Sequence, residues 1–257
     1  MAIKIALANI KGGIGKSTSS INIADQLMER GYRVLMVDTD PQRNTTAVYR
    51  ASTECVPTLY DIIFSEYTAE QVIQHTEFGD IIPNDSELKN VDSQVKPGPG
   101  MYKYFKKKIC TNSIEENYDF IIFDTPPRSG ILLGNVLMVA DYVIIPVECD
   151  LFGVQGLYDF YEPFVEFQED NENLKILGIL KVKYKEKQNL TKELEDAVLP
   201  KYASDMKTKV LNSTIRESVK CKEAITGRVR LTKYAPKSTV AQDYSALTDE
   251  ILKEVIK

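Results

Sequence analysis

The chain has 257 residues with 32 basic and 37 acidic side chains and one histidine, a formal net charge of −5 at pH 7. Hydrophobic residues make up 43% and charged residues 27%, a globular balance that excludes a disordered chain, a collagen-like repeat and a disulfide scaffold. Such a length buries a sizeable core without metals or cross-links, and the overall acidity points away from nucleic acid.

The start, Met1-Ala2-Ile3-Lys4, enters an apolar run without the basic and cleavable regions of a secretory signal. The longest nearly apolar stretch, 130–147, is interrupted by Asn135 and Asp141, so no membrane span is expected. Cys55, Cys110, Cys149 and Cys221 are scattered and form no CxxC pair. That spacing predicts neither a zinc site nor a redox pair, and fits a reducing cytoplasm.

In chain order, residues 3–8 form a continuous apolar run, read as a buried parallel strand. It is followed by Asn9-Ile10-Lys11-Gly12-Gly13-Ile14-Gly15-Lys16-Ser17-Thr18 and a helix over 17–30, with Gly31 closing that helix. Strand, glycine-rich loop and helix N-terminus together make an anion cradle: backbone N–H groups turn inward and the helix dipole adds to them. Lys16 is placed to reach phosphates, and the Ser17 hydroxyl to bind Mg²⁺. The strict eight-residue pattern fails at Ile10, and a second lysine, Lys11, stands in the loop.

A second strand, 34–37, runs into Asp38-Thr39-Asp40-Pro41-Gln42, and another, 120–123, into Asp124-Thr125-Pro126-Pro127. In an open α/β sheet these C-terminal strand ends converge on the ligand crevice. Between them, 85–100 is the least regular segment. Further strands are expected at 142–147 and 174–180, and helices at 130–140, 154–169 and 190–201. The alternation predicts an α/β fold with a mostly parallel twisted sheet and helices on both faces, and no linker divides the chain, so residues 1–257 are expected to form one domain.

The loop Lys11-Gly-Gly-Ile-Gly-Lys-Ser-Thr18 resembles the deviant phosphate loop (deviant Walker A) of the ParA/MinD superfamily of P-loop NTPases. That resemblance implies ATP and Mg²⁺ as ligands, cradled by Lys11, Gly12, Gly13, Ile14, Gly15, Lys16, Ser17 and Thr18. It implies catalytic roles for Lys11, Lys16 and Asp40. Lys11 would cross the interface of an ATP-sandwiched homodimer, a cation that arrives only when the dimer forms. Asp40 would position the hydrolytic water. Asp124 resembles the Walker B carboxylate, so that Ser17, Asp38 and Asp124 surround the metal and its waters. Arg128 stands where the family more often has a small or polar residue.

Further stretches resemble the ParA/Soj branch: Tyr142-Val-Ile-Ile-Pro-Val-Glu148, with Glu148 in place of the usual Gln, Leu177-Gly-Ile-Leu180, Asn212-Ser-Thr-Ile-Arg216, and Lys233-Tyr-Ala-Pro-Lys-Ser238. That branch implies a partition ATPase with weak intrinsic turnover, which holds DNA non-specifically as the ATP dimer and is reset by a ParB-like centromere-binding partner. It implies a cytoplasmic, nucleoid-associated protein acting in plasmid or chromosome segregation. The local charge agrees: residues 201–237 hold ten Lys/Arg and three Asp/Glu, net +7, leaving −12 for the rest. A basic face on an acidic body is an electrostatic footprint for a phosphate backbone. By the resemblance Lys187 and Arg216 occupy the places of two DNA-contacting arginines. Arg228, Arg230, Lys233 and Lys237 are further candidates, and Lys181, Lys183 and Lys185 lie upstream of Lys187.

No helix-turn-helix precedes the loop, so sequence specificity is expected to reside in the partner. The rival reading is a MinD-like membrane-associated ATPase, which needs a basic amphipathic C-terminal helix. Here 244–257 carries Asp249, Glu250 and Glu254 against Lys253 and Lys257, so no membrane partner is expected. A nucleotide-switch adaptor with little turnover is the other alternative.

Overall fold

The computed structural model describes residues 1–98, 100–184 and 197–256. Eight strands form one sheet in the order β3-β4-β2-β5-β1-β6-β7-β8. They are β1 (Ile3–Leu7), β2 (Val34–Asp38), β3 (Gln74–Thr76), β4 (Gly79–Ile82), β5 (Phe120–Asp124), β6 (Tyr142–Glu148), β7 (Lys175–Tyr184) and β8 (Val210–Arg216). Every neighbouring pair is parallel except β3 with β4. The central strands are apolar on both sides because helices cover both faces, which is why they read as unbroken rather than alternating runs.

Two apolar layers enclose the sheet. One holds helix α1 (Lys16–Glu29) and the helix Thr239–Val255. The other holds the helices Tyr104–Lys108, Ile131–Leu137 and Leu151–Asp170. Val240, Tyr244, Leu247 and Ile251 recur at three- and four-residue intervals, so the helix Thr239–Val255 has one apolar stripe, and that stripe is buried against α1 and β8. The Tyr244 hydroxyl meets the Ser19 hydroxyl at 3.3 Å inside this contact.

In the other layer, a Cβ on Gly134 would come within 2.4 Å of Tyr102 and 2.7 Å of Phe167, whose rings meet edge to face. Gly134→Ala should therefore cost about 1–3 kcal/mol through overpacking, although alanine favours the helix. Urea denaturation tests this, and an unchanged midpoint rejects it.

Strand register sets up the site. Leu7 and Asp38 both lie opposite Asp124, which brings the ends of β1, β2 and β5 side by side.

The expected strands and helices are present with small shifts at their ends, and three differences are larger. The strand expected at 174–180 continues to Tyr184 and draws Lys181 and Lys183 into the sheet. Lys181 is buried there at 9% exposure, with its ammonium 5.8 Å from the Tyr184 ring centroid, so it is not part of a solvated lysine face. The β3–β4 hairpin and β8 have no clear signal in the sequence, being short or weakly patterned. Of the helix expected at 190–201, residues 190–196 lie outside the described residues, and a helix runs Leu199–Asp205.

Candidate active site

The loop between β1 and α1 is fixed at its entrance by Asn9. The Asn9 amide donates to the Pro146 carbonyl at 2.9 Å and its oxygen accepts from the Lys11 N–H at 3.0 Å. Ile14, 1% exposed, anchors the middle of the loop. Gly13 and Gly15 sit at φ of +75° and +82°, in the left-handed region, and a Cβ built on either would meet nothing within 4 Å. The loop is thus an open cradle shaped by backbone conformation. Gly15 caps α1 without any side-chain acceptor, so the first N–H groups of α1 remain available to an anion.

Lys16 is 6% exposed, and its ammonium donates to the Lys11 carbonyl at 2.9 Å. Burial pushes the Lys16 ammonium down to about 8, against the pull of Asp124 and Asp40. Lys11 takes a different course: its ammonium lies 3.2 Å from Asp150, beyond the end of β6.

Asp38 and Asp124 are fully buried neighbours at the ends of β2 and β5. Burial pushes both carboxyls up, and the charge of Asp124 adds to the effect on Asp38. Their surroundings separate their roles. Asp124 accepts from the Thr45 hydroxyl at 2.6 Å and from the Ser20 hydroxyl at 3.5 Å, and the nearby Ser17 hydroxyl offsets part of the upward push on its carboxyl, so a hydroxyl and a carboxylate of the kind that phosphate-loop enzymes place around Mg²⁺ are neighbours. Asp38 accepts from the N–H and hydroxyl of Thr46 at 2.7 and 2.6 Å and from the Asp40 N–H at 3.2 Å. Asp38 therefore ties the strand end to helix α2 (Asn44–Val48), with both oxygens occupied.

Asp40 follows on this turn. One carboxylate oxygen accepts from the Gln42 N–H at 3.0 Å, and the other makes no hydrogen bond among the described residues. The Asp40 carbonyl is held by the Asn84 amide at 2.6 Å. Burial pushes its carboxyl up, opposed by the Gln42 N–H, Lys16 and Arg128.

Lys16, Ser17 and Asp40, with Gly13, Gly15 and Thr18, line one crevice of about 450 Å³. A largely apolar cavity of about 390 Å³ adjoins it, sharing Gly15, Thr18 and Lys183, and is walled by Ile215, Cys221, Ile225 and Val240. A polar crevice opening into an apolar pocket matches the two halves of a nucleotide. The open cradle, the uncapped helix and the Ser17–Asp124 pair fit a triphosphate with its divalent cation.

Three contacts have no signature in the sequence. Lys183 donates to the Gly13 carbonyl at 2.7 Å and to the Glu148 carboxylate, joining β6, β7 and the loop. The replacement of Gln by Glu at 148 thus supplies the counter-charge for Lys183. Arg128 pairs with Asp92 at 3.2 Å, and Asp92 also accepts from the Ile131 N–H at 2.8 Å, clamping the segment after Asp124. The apolar pocket wall comes from β8 and two C-terminal helices, about 200 residues beyond the phosphate loop.

The basic candidates divide. Arg228, Lys233 and Lys237 are exposed. Arg216 forms a bidentate pair with Asp243. Arg230 is turned into the fold, donating to the Phe78 carbonyl at 2.8 Å and lying 3.8 Å from Asp25. Lys187 and Lys185 lie outside the described residues.

A family model described as an AAA domain matches residues 2–176. The chain is 33% identical over 254 residues to the sporulation initiation inhibitor protein Soj of Bacillus subtilis (strain 168), covering 96% of this chain and 97% of that one. Among solved structures, a plasmid partition protein of Borrelia burgdorferi B31 bound to AMPPNP superposes with a TM-score of 0.81 at 26% identity, over 99% of this chain and 100% of that one. The same fold occurs in a cobyrinic acid a,c-diamide synthase of Mycobacterium smegmatis with an ATP analogue and magnesium, at a TM-score of 0.84 and 24% identity, over 100% and 96% of the two chains. A deviant phosphate loop with two lysines, carboxylates at the adjoining strand ends, and a full-length match to Soj lead to one conclusion: the chain belongs to the ParA/Soj family of partition ATPases.

Proposed function

We propose that this chain is a partition ATPase that dimerises around two ATP·Mg²⁺, holds double-stranded DNA without sequence preference, and is reset by hydrolysis stimulated by a ParB-like partner. The observation that carries this reading is the division of labour between the two loop lysines. Lys16 extends into its own crevice, whereas the Lys11 ammonium rests on Asp150 outside it.

The loop N–H groups and Lys16 bind the phosphates, and Ser17 and Asp124 would hold Mg²⁺, which when bound would supply neutralisation of the charge that develops on the phosphoryl oxygens. Asp40, with one carboxylate oxygen free of protein donors, orients the attacking water and takes its proton. Asp38 acts on this geometry by holding the Asp40 turn. Lys11 is assigned to the partner protomer's phosphates, to which it moves from Asp150 on dimerisation. Lys11→Ala should spare nucleotide binding and lose the ATP-dependent dimer. Light scattering on a sizing column checks this, and an unchanged dimer rejects the role.

Arg228, Lys233 and Lys237 supply exposed charge for the DNA face, with Lys187 and Arg216 proposed on resemblance. The decisive experiment is DNA retention with ATP, ADP or no nucleotide across a salt series, with liposome sedimentation in parallel. Retention with ATP only, falling steeply with salt, supports the reading; ATP-dependent liposome binding overturns it in favour of a MinD-like protein. The apolar stripe of the helix Thr239–Val255 is already buried against α1 and β8, which argues against that membrane role. No helix among the described residues is long and apolar enough to cross a membrane. Measured turnover with and without a ParB-like protein separates the ATPase from a nucleotide-switch adaptor.

A further inference from the structure

The chain has eight arginines. Five of them, Arg30, Arg33, Arg128, Arg216 and Arg230, lie within ion-pair distance of a carboxylate. The other three, Arg43, Arg50 and Arg228, form no side-chain hydrogen bond or ion pair among the described residues. These three share two further properties. Their backbones sit at φ of 58°, 55° and 51°, in the left-handed region. All three line a single cavity of about 340 Å³ beside α2, and no carboxylate lies in its wall.

The left-handed turns at Arg50 and Arg228 close the helices that precede them, but the clustering of unpaired charge does not serve the fold. A left-handed backbone is unfavourable for any residue with a Cβ, and glycine would adopt it freely. Bringing three guanidinium groups together without a counter-charge adds repulsion. Three guanidinium groups around one concavity without a carboxylate suit an anionic ligand. Guanidinium forks match phosphate oxygens in a way ammonium groups do not.

The neighbouring space indicates the kind of anion. Arg50 and Arg228 continue into a second cavity of about 800 Å³, where Lys233 joins them and Glu77 is the one carboxylate. Arg228 also lines the nucleotide crevice with Lys16 and Asp40. Two adjoining basic concavities exceed what a single phosphate fills and form a track suited to an extended polyanion.

We propose that Arg43, Arg50 and Arg228 form a docking pocket for consecutive backbone phosphates of double-stranded DNA, with Arg228 as the wall shared with the nucleotide crevice. The proposal rests on the DNA-holding reading above and places part of the DNA face on α2, outside the C-terminal basic stretch. The shared wall is the route by which nucleotide occupancy alters DNA affinity.

The test uses the full chain with the double substitution Arg43→Gly and Arg50→Gly, leaving Arg228 intact. Glycine relaxes the left-handed backbone, so the thermal midpoint should be equal to or above that of the wild type. The ATP-dependent dimer on a sizing column should persist. Retention of duplexes of unrelated sequence should fall uniformly, and the slope of log affinity against log salt should become shallower by about one for each lost phosphate contact, about two in all. A wild-type salt slope and affinity in the double variant overturns the pocket while leaving DNA holding intact, even if competition by inorganic phosphate changes. A clear drop in the thermal midpoint also overturns it, because the guanidinium groups would then be serving the fold. Absence of DNA retention in the wild type itself overturns the reading on which the pocket rests, a distinct result.

Discussion

Lys16→Ala should weaken ATP binding by at least about an order of magnitude while leaving the fold intact. Lys16 is the ammonium of its own phosphate crevice, held over the loop by the Lys11 carbonyl and flanked by Asp124 and Asp40. Without it, the buried carboxylates face the incoming phosphates with no compensating charge. Truncating one partner of a buried charge pair costs about 2–5 kcal/mol, so affinity should fall roughly thirtyfold to several thousandfold. The fold should survive, because burial already disfavours the ammonium and its removal relieves that desolvation. Calorimetric titration with ATP and a melting curve on the same sample check both halves. Wild-type affinity in the variant would reject the assignment of Lys16.

Asp40→Ala should separate binding from turnover. Asp40 lines the crevice at the end of β2 but is no part of the loop, so nucleotide affinity and the ATP-dependent dimer should remain. Its carboxylate has one oxygen held by the Gln42 N–H and one without a protein donor, the arrangement of a group that can accept from water. Loss of a positioned base lowers rate by about 10²–10⁴-fold. The expected product is an ATP-locked dimer that stays on DNA and no longer responds to a ParB-like partner. Phosphate release and DNA retention measured together check this, and rapid turnover in the variant rules Asp40 out. The neighbouring Asp38 should behave differently. Its oxygens are taken by Thr46 and Asp40, so Asp38→Ala should loosen α2 as well as slow turnover.

Local chemistry explains why so much of the site is legible in the amino-acid sequence. The phosphate loop is contiguous, and its glycines are required by the left-handed turns at Gly13 and Gly15. Asp38 and Asp124 each follow an unbroken apolar run, with Asp40 two residues beyond Asp38, so a one-dimensional pattern places them at the end of a buried strand. The whole-chain charge of −5 misleads until it is divided along the chain, because opposite charges in separate segments cancel in a sum but not on a surface.

Other features depend on residues far apart in sequence. Nothing in the neighbourhood of Lys183 announces that it will hold Gly13, 170 positions away, with Glu148 as its counter-ion. Arg128 and Arg216 become clamps only because Asp92 and Asp243 arrive from other elements. Arg230 reads as a surface cation in a basic stretch and is placed instead against Asp25 and Phe78. Arg43 and Arg50 carry no motif, and their convergence with Arg228 exists only once α2 and the C-terminal segment share a cavity wall. The sequence by itself therefore determined the fold class, the phosphate loop and the order of the strand-end carboxylates, because backbone conformation and hydrophobic periodicity are local properties. The tertiary structure alone decided which charges are paired and which are left to meet a ligand, because pairing depends on distances across the sheet that no local pattern encodes.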